Sequence, residues 1–138
     1  MSELDKIRYN GTDYNIGGSY LRIYSKEETR VGTWIDGKPL YNKVITVTVP
    51  ATSTMGTVAS TSFSIGNDID YAFIETYHMV DSVNEKYSMP VAGYKNNVYY
   101  FAKANVKNDG TGYFQNSNSN WGANCSVVIS VLYTKTTD

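Results

Sequence analysis

One cysteine, one histidine and three prolines are all that this chain of 138 residues holds of those types. A lone Cys125 excludes an intramolecular disulfide and reads as a small buried hydrophobe in a strand. With His78 as the sole imidazole, any Ser-His-Asp or Cys-His site has to pass through that residue. Its flanks, Thr76-Tyr77-His78-Met79-Val80, carry no Gly-x-Ser-x-Gly elbow, so a half-buried strand histidine is expected. Apolar runs extend only a few residues, which excludes a transmembrane helix. The opening MSELDKIRYN has no apolar centre of the kind a secretory signal requires, so synthesis in a cytoplasm is expected. Neither sign of charge dominates: twelve basic residues meet thirteen acidic ones, for a net charge of −1. A groove that neutralises nucleic-acid phosphates needs clustered Lys and Arg, and that class is not expected. There is no P-loop and no dinucleotide fingerprint, and no cofactor or metal is expected.

What the chain does have is tyrosine: thirteen, against four Phe and two Trp. Tyrosine joins a large apolar face to a polar tip and suits half-buried strands and recognition surfaces. Hydrophobic residues make up 41%, enough for a real core in a chain of this size. With abundant Gly, Ser, Asn and Thr, this is the composition of a β-rich domain with long polar loops.

Turn signals divide the chain. Asn10-Gly11 sits between Lys6–Tyr9 and Thr12–Ile16, and both residues tolerate the positive φ of a two-residue hairpin. Gly17-Gly18-Ser19 follows as a joint. Residues 1–19 are therefore read as an attachment segment, with Ile7, Tyr9, Tyr14 and Ile16 as its apolar contacts. An isolated hairpin is marginal in water, so it has to pack on something. Residues 20–138 are read as one domain. Tyr20–Tyr24 alternates; Ser25–Thr29 is a polar connector. Arg30–Ile35 and Lys38–Val49 flank Asp36-Gly37, a strong hairpin signal. Pro50 ends the second run. Ala51–Ser64 reads as loop and edge strand. Ile69–Val80 fits a strand by its aromatic and β-branched content, although Ile74, Tyr77, His78 and Asp81 also match a helix face. Val98–Val106, Thr111–Gln115 and Asn124–Thr134 complete the set. The last is apolar on both faces, as in a strand central to a sandwich or sealed by a neighbour. Strands at intervals of roughly 8–12 residues, with no convincing helix, predict an all-β fold: an antiparallel β-sandwich, jelly-roll-like, with a short N-terminal hairpin.

Catalytic groupings are weak. Asp68, Asp70, Glu75 and Asp81 are the acids from which a glycosidase pair would be assembled, and charged loop and edge residues are the simpler reading. Asp68-Ile69-Asp70 lacks the ligand string of a calcium loop. Aromatics interleaved with amides give a better signal, because a ring covers the C–H face of a sugar while amides bind its hydroxyls. Two stretches have this character, Tyr94–Tyr100 and Tyr113–Trp121. The candidate glycan contacts are Tyr94, Tyr99, Tyr113, Asn116, Asn118, Asn120 and Trp121. The alternative is that Tyr113, Phe114 and Trp121 pack the sandwich while the amides are solvated. Trp34 is read as structural, its ring packing on the next sheet while Asp36-Gly37 turns outside.

The segment Val31–Ile45, VGTWIDGKPLYNKVI, resembles the VGxWxDGKPxYxK pattern of C-terminal domains in bacteriophage tail, fibre and host-recognition proteins from phages of Firmicutes. The close, VLYTKTTD, is similar to the common ending of the same domains, and the opening, MSELDKIRYNGTDYNI, to the starts of many short phage structural proteins. Together they cover about a quarter of the chain; the resemblance does not extend over Ala51 to Asn124. The resemblance implies a non-enzymatic virion component, commonly a homotrimer near a tail or fibre tip, with no catalytic residues to carry over. The expected partners are further copies of itself, other virion proteins through the N-terminal segment, and a host-surface glycan, with no nucleic acid and no membrane insertion. A small separate subunit docked through Met1–Ile16 fits better than a shaft and tip. A head or tail decoration protein without a ligand is the alternative, and a glycan-degrading tip enzyme is a third reading.

Overall fold

The computed structural model describes residues 6–15 and 24–138. They form eleven strands and, among the described residues, no helix. In chain order these are β1 (Lys6–Tyr9), β2 (Thr12–Asn15), β3 (Thr29–Thr33), β4 (Pro39–Thr48), β5 (Ala59–Ser64), β6 (Ile69–Val80), β7 (Lys86–Ser88), β8 (Val91–Lys95), β9 (Val98–Val106), β10 (Thr111–Asn116) and β11 (Ser126–Lys135). β1 and β2 pair antiparallel as a separate two-stranded sheet. Asn10 and Gly11 both take positive φ, 51° and 74°, as a type I′ turn demands. Ile16 and the expected strand residues Tyr20–Ile23 lie outside the described residues.

The other nine strands form two antiparallel sheets packed face to face as a β-sandwich. One has the order β3-β4-β11-β6-β7, the other β5-β10-β9-β8. β4 pairs with β11 and β5 with β10, so chain-distant pairs are nested in the manner of a jelly roll. The four-stranded sheet otherwise runs as a plain meander from β8 to β10.

β11 explains the core. It lies between β4 and β6, and Val127, Ile129, Val131 and Tyr133 point inward with no exposure. Phe114 and Ala102 meet them from the other sheet. Each such aliphatic or aromatic side chain contributes about 1.5–3 kcal/mol of burial free energy. The sheets are also tied by a hydrogen bond: the Ala104 amide donates to the Tyr77 hydroxyl across the interior, at 3.3 Å. Burial raises the Tyr77 pKa, and the donated amide hydrogen bond partly opposes that shift.

Ile69–Val80 is a strand, and its mixed periodicity has a physical cause. The pairing with β11 slips at two places, leaving Asp70 and Glu75 as extra residues. Each bulge reverses the alternation. The inward set is therefore Ile69, Ala72, Ile74, Tyr77 and Met79, and the three-residue gaps at the bulges imitate a helix face. Both bulged acids find partners. Asp70 takes the Lys38 ammonium at 2.5 Å, and Glu75 accepts from the Ser130 hydroxyl at 2.8 Å.

The Asp36-Gly37 hairpin forms with a three-residue loop rather than a two-residue one. The Gly37 amide donates to Trp34 O at 2.9 Å and the Trp34 amide to Lys38 O at 2.8 Å. Only Gly37 takes positive φ, 90°, which marks a type I turn closed by a glycine bulge. The Asp36 carboxylate accepts from the Lys38 amide at 3.0 Å. Trp34 packs differently from the expectation. Its ring lies over the outer face of its own sheet, 5.4 Å from Tyr71 and 5.1 Å from Phe73 of β6, and does not reach the facing sheet. Under this cluster Leu132, opposite Phe73, is 9% exposed. That seal is why β11 is apolar on both faces.

Candidate functional site

The candidate residues separate into three places. The first is the outer face of the four-stranded sheet. Registers there are regular, with Tyr94 opposite Tyr99, Ala92 opposite Phe101, Lys103 opposite Gln115 and Asn105 opposite Tyr113. Because Ala102, Phe114 and Asn116 point inward, Tyr94, Tyr99, Phe101, Lys103, Tyr113 and Gln115 share the outward face. Tyr94 and Tyr99 are 60% and 80% exposed, with rings 4.8 Å apart. They stand at the tip of the β8–β9 hairpin, whose turn residues Asn96 and Asn97 both take positive φ, 55° and 64°. Just behind them Tyr100 points inward, and its ring occupies the space over Gly93 where a side chain would otherwise stand. The Lys103 ammonium lies 5.5 Å from the Phe101 ring centroid. On β5 the same face ends in Ser60 and Ser62, opposite Gln115 and Tyr113.

The second place is the end loop between β10 and β11. Asn116 and Asn118 are not presented to a ligand. They are 0% and 4% exposed. The Asn116 amide nitrogen donates to Pro50 O, Asn118 O and Trp121 O at 3.0, 3.1 and 3.3 Å, and its oxygen accepts from the Asn118 amide at 2.9 Å. Asn118 in turn accepts from the Asn120 amide at 2.9 Å. A loop that turns inward leaves backbone groups without water, and these amides replace it. Trp121 is half-buried against Tyr87 and Tyr100, each 5.8 Å away. Asn120 and Trp121 line a polar pocket of about 270 Å³ with Thr52, Ser82, Ser119 and Asn124. Beside it the Tyr87 hydroxyl lies 3.2 Å from both the Asp81 and the Glu85 carboxylate, its single proton shared between them. Burial, then these two carboxylates, push its pKa up to about 12.

The third place is on the outer face of the five-stranded sheet. There Tyr24, Val44, Thr76, His78, Val128 and Ser130 line a groove of about 220 Å³. The buried Ser130 hydroxyl accepts from Asn42 at 2.8 Å as it donates to Glu75. His78 shares the groove with the hydroxyl side chains Thr76 and Ser130, while Cys125 is buried and does not line it.

The four acids do not converge. Asp68 and Asp70 lie at the start of β6, where Asp68 accepts from Thr137 and Asp70 holds Lys38. Asp81 lies past the other end, about 40 Å away along an extended strand, and accepts from the Val83 and Glu85 amides. No group of three or more potential metal-ligating side chains occurs among the described residues. Ile7, Tyr9 and Tyr14 fall within the β1–β2 hairpin, and Ile16 lies outside the described residues.

Phe101, Lys103 and Gln115 are the members of the sheet-face group not expected from sequence. The available signal was period two: once Tyr99 faces outward, Phe101 and Lys103 must do so as well. Of the three places, this face offers the widest set of exposed aromatic and polar side chains. The chain matches no protein-family model, no curated protein and no solved structure.

Proposed function

We propose that this chain is a non-catalytic bacteriophage virion component, at a tail or fibre tip, that binds a host-surface glycan on the outer face of its four-stranded sheet. The carrying observation is the Tyr94–Tyr99 pair, two neighbouring rings left more than half in water at a hairpin tip. A sandwich with a filled core gains nothing from exposing two tyrosines together, and paired exposed aromatics mark contact surfaces. Rings cover sugar C–H faces, and Lys103, Gln115, Ser60 and Ser62 supply the hydrogen-bonding groups beside them. The viral setting rests on the resemblance of VGTWIDGKPLYNKVI to phage tail and fibre domains. In this reading the N-terminal hairpin holds the subunit in the particle, and copies assemble as a homotrimer.

The test is binding of the purified protein to cell-wall polysaccharide from the bacterial host. Tyr94→Ala/Tyr99→Ala should weaken retention about tenfold or more, as loss of an aromatic hot spot does, with the circular dichroism spectrum and oligomer mass unchanged. Retention equal to wild type would remove the sheet face from the proposal. Normal adsorption by virions lacking the protein would favour a decoration role, and product release from the polysaccharide would favour an enzyme.

A further inference from the structure

Of the two packed sheets, only the five-stranded one carries acidic residues in its strands. Of the thirteen acidic residues, none falls in β5, β8, β9 or β10, whose sequences are ASTSFS, VAGYK, VYYFAKANV and TGYFQN. The five-stranded sheet carries Asp70 and Glu75, both in β6, together with the cations Arg30, Lys43, Lys86 and Lys135. The carboxylate next to the four-stranded sheet, Asp109 in the β9–β10 turn, is folded back on Thr111. It accepts from the Thr111 amide at 2.9 Å and hydroxyl at 2.6 Å. The cations of these four strands are Lys103, in the middle of the outward face, and Lys95, which pairs with Val98 at the hairpin tip and so lies on the other side of the sheet from Tyr94.

Lys103 is exposed, and no ion pair with a carboxylate is formed by it among the described residues. Lys38 and Lys135, by contrast, are each held by an acid, Asp70 and Glu28. The Lys103 ammonium instead rests near the Phe101 ring, with Gln115 across the strand pair and Asn105 next along β9. In a chain of net charge −1, the one charged side chain among the strand residues of this face is thus a cation, Lys103. The run from Tyr99 to Asn105 spans about 20 Å of strand, room for several consecutive sugar units.

We infer that the ligand of this face is an anionic glycan, a polymer whose sugar or polyol units carry phosphate or carboxylate groups, with the rings of Tyr94, Tyr99 and Tyr113 against its apolar faces and Lys103 against its charge. This rests on the glycan-binding reading above and narrows it. An unopposed cation beside aromatic platforms favours an anion on charge, while the rings cover the uncharged part of each unit by contact.

The experiment compares a neutral and a charged polymer of one sugar. Neutral mannan, phosphomannan and polygalacturonate are titrated into the wild-type protein and Lys103→Gln by affinity electrophoresis, at low and at high salt. Phosphomannan should be retained about tenfold more strongly than mannan, the effect of one hydrogen bond to a charged group. Added salt and Lys103→Gln should each remove most of that preference. A similar gain for polygalacturonate shows that charge is read without regard to its chemical source; retention of phosphomannan alone assigns phosphate. Equal retention of mannan and phosphomannan, or a preference untouched by Lys103→Gln, would overturn the inference while leaving glycan binding intact. If Tyr94→Ala/Tyr99→Ala also fails to change retention of every polymer, the glycan reading falls with it.

Discussion

Replacing Trp34 with alanine should destabilise the sandwich by about 3 kcal/mol and leave ligand binding unchanged. Two ring contacts are lost, to Tyr71 at 5.4 Å and Phe73 at 5.1 Å. Each is worth about 0.5–1.5 kcal/mol beyond area burial. Half-burial of a tryptophan removes on the order of 100 Å² from water, or about 2.5 kcal/mol at ~25 cal/mol per Å². That sum is an upper bound, because the unfolded chain already shelters part of the ring. A loss near 3 kcal/mol should lower the melting temperature by roughly 10 °C. Urea denaturation followed by far-ultraviolet circular dichroism reads it without depending on the tryptophan signal. Ile35→Ala is the internal control: it sits one residue away, 91% exposed at the hairpin tip, and should change stability by less than about 0.5 kcal/mol. A double-mutant cycle with Phe73→Ala should return a coupling of about 1 kcal/mol. A Trp34→Ala protein within about 1 kcal/mol of wild type would refute the reading of this hairpin as a scaffold clasp.

Two further perturbations test the interior. Asn116→Ala should cost about 2–4 kcal/mol in urea denaturation, because Pro50 O, Asn118 O and Trp121 O lose a buried donor together; a neutral effect would return Asn116 to the list of ligand groups. Stability should also fall in alkali. Burial, followed by the Glu28 carboxylate, raises the Tyr133 pKa, and Tyr87 is pushed up to about 12. Below the unfolded tyrosine value of about 10 both states hold these protons and stability is complete. Above it the unfolded chain releases them first, so the urea midpoint should drop from near pH 10 through the folded values. Tyr87→Phe should flatten that drop; a flat wild-type profile from pH 9 to 12 would contradict the assignment of neutral, carboxylate-bonded phenols.

How much was legible varied with the length scale of the cause. β11 and the Asn10-Gly11 turn were visible because their signals are local: period-two apolarity and residues that tolerate positive φ. The bulges at Asp70 and Glu75 were not, since each depends on where β11 and its partners Lys38 and Ser130 lie in space. Trp34 was identified as structural, but its partners on β6 depend on sheet order, which local pattern does not carry. The amides of the end loop misled for a related reason. An exposed asparagine and one that replaces water for buried backbone look alike in sequence, and only burial separates Asn116 and Asn118 from Asn120. The sheet-face group was half legible: Tyr94, Tyr99 and Tyr113 stood out as aromatics, whereas Lys103 and Gln115 gain meaning only from the registers of β8 to β10. The VGTWIDGKP segment changes character too. Trp34, Asp36, Gly37 and Lys38 each close the hairpin or clasp it to β6, so the most recognisable stretch of the chain builds the scaffold.

The central claim, that ligand is held on the outer face of the four-stranded sheet, is tested most directly by amide and tyrosine-ring chemical-shift mapping. The labelled protein is titrated with purified bacterial cell-wall polysaccharide. Shifts should concentrate at Tyr94, Tyr99, Phe101, Lys103, Tyr113 and Gln115. Shifts confined to Ser119–Asn124, or to Thr76 and His78 on the opposite sheet, would contradict the account and move the site to the end pocket or the groove.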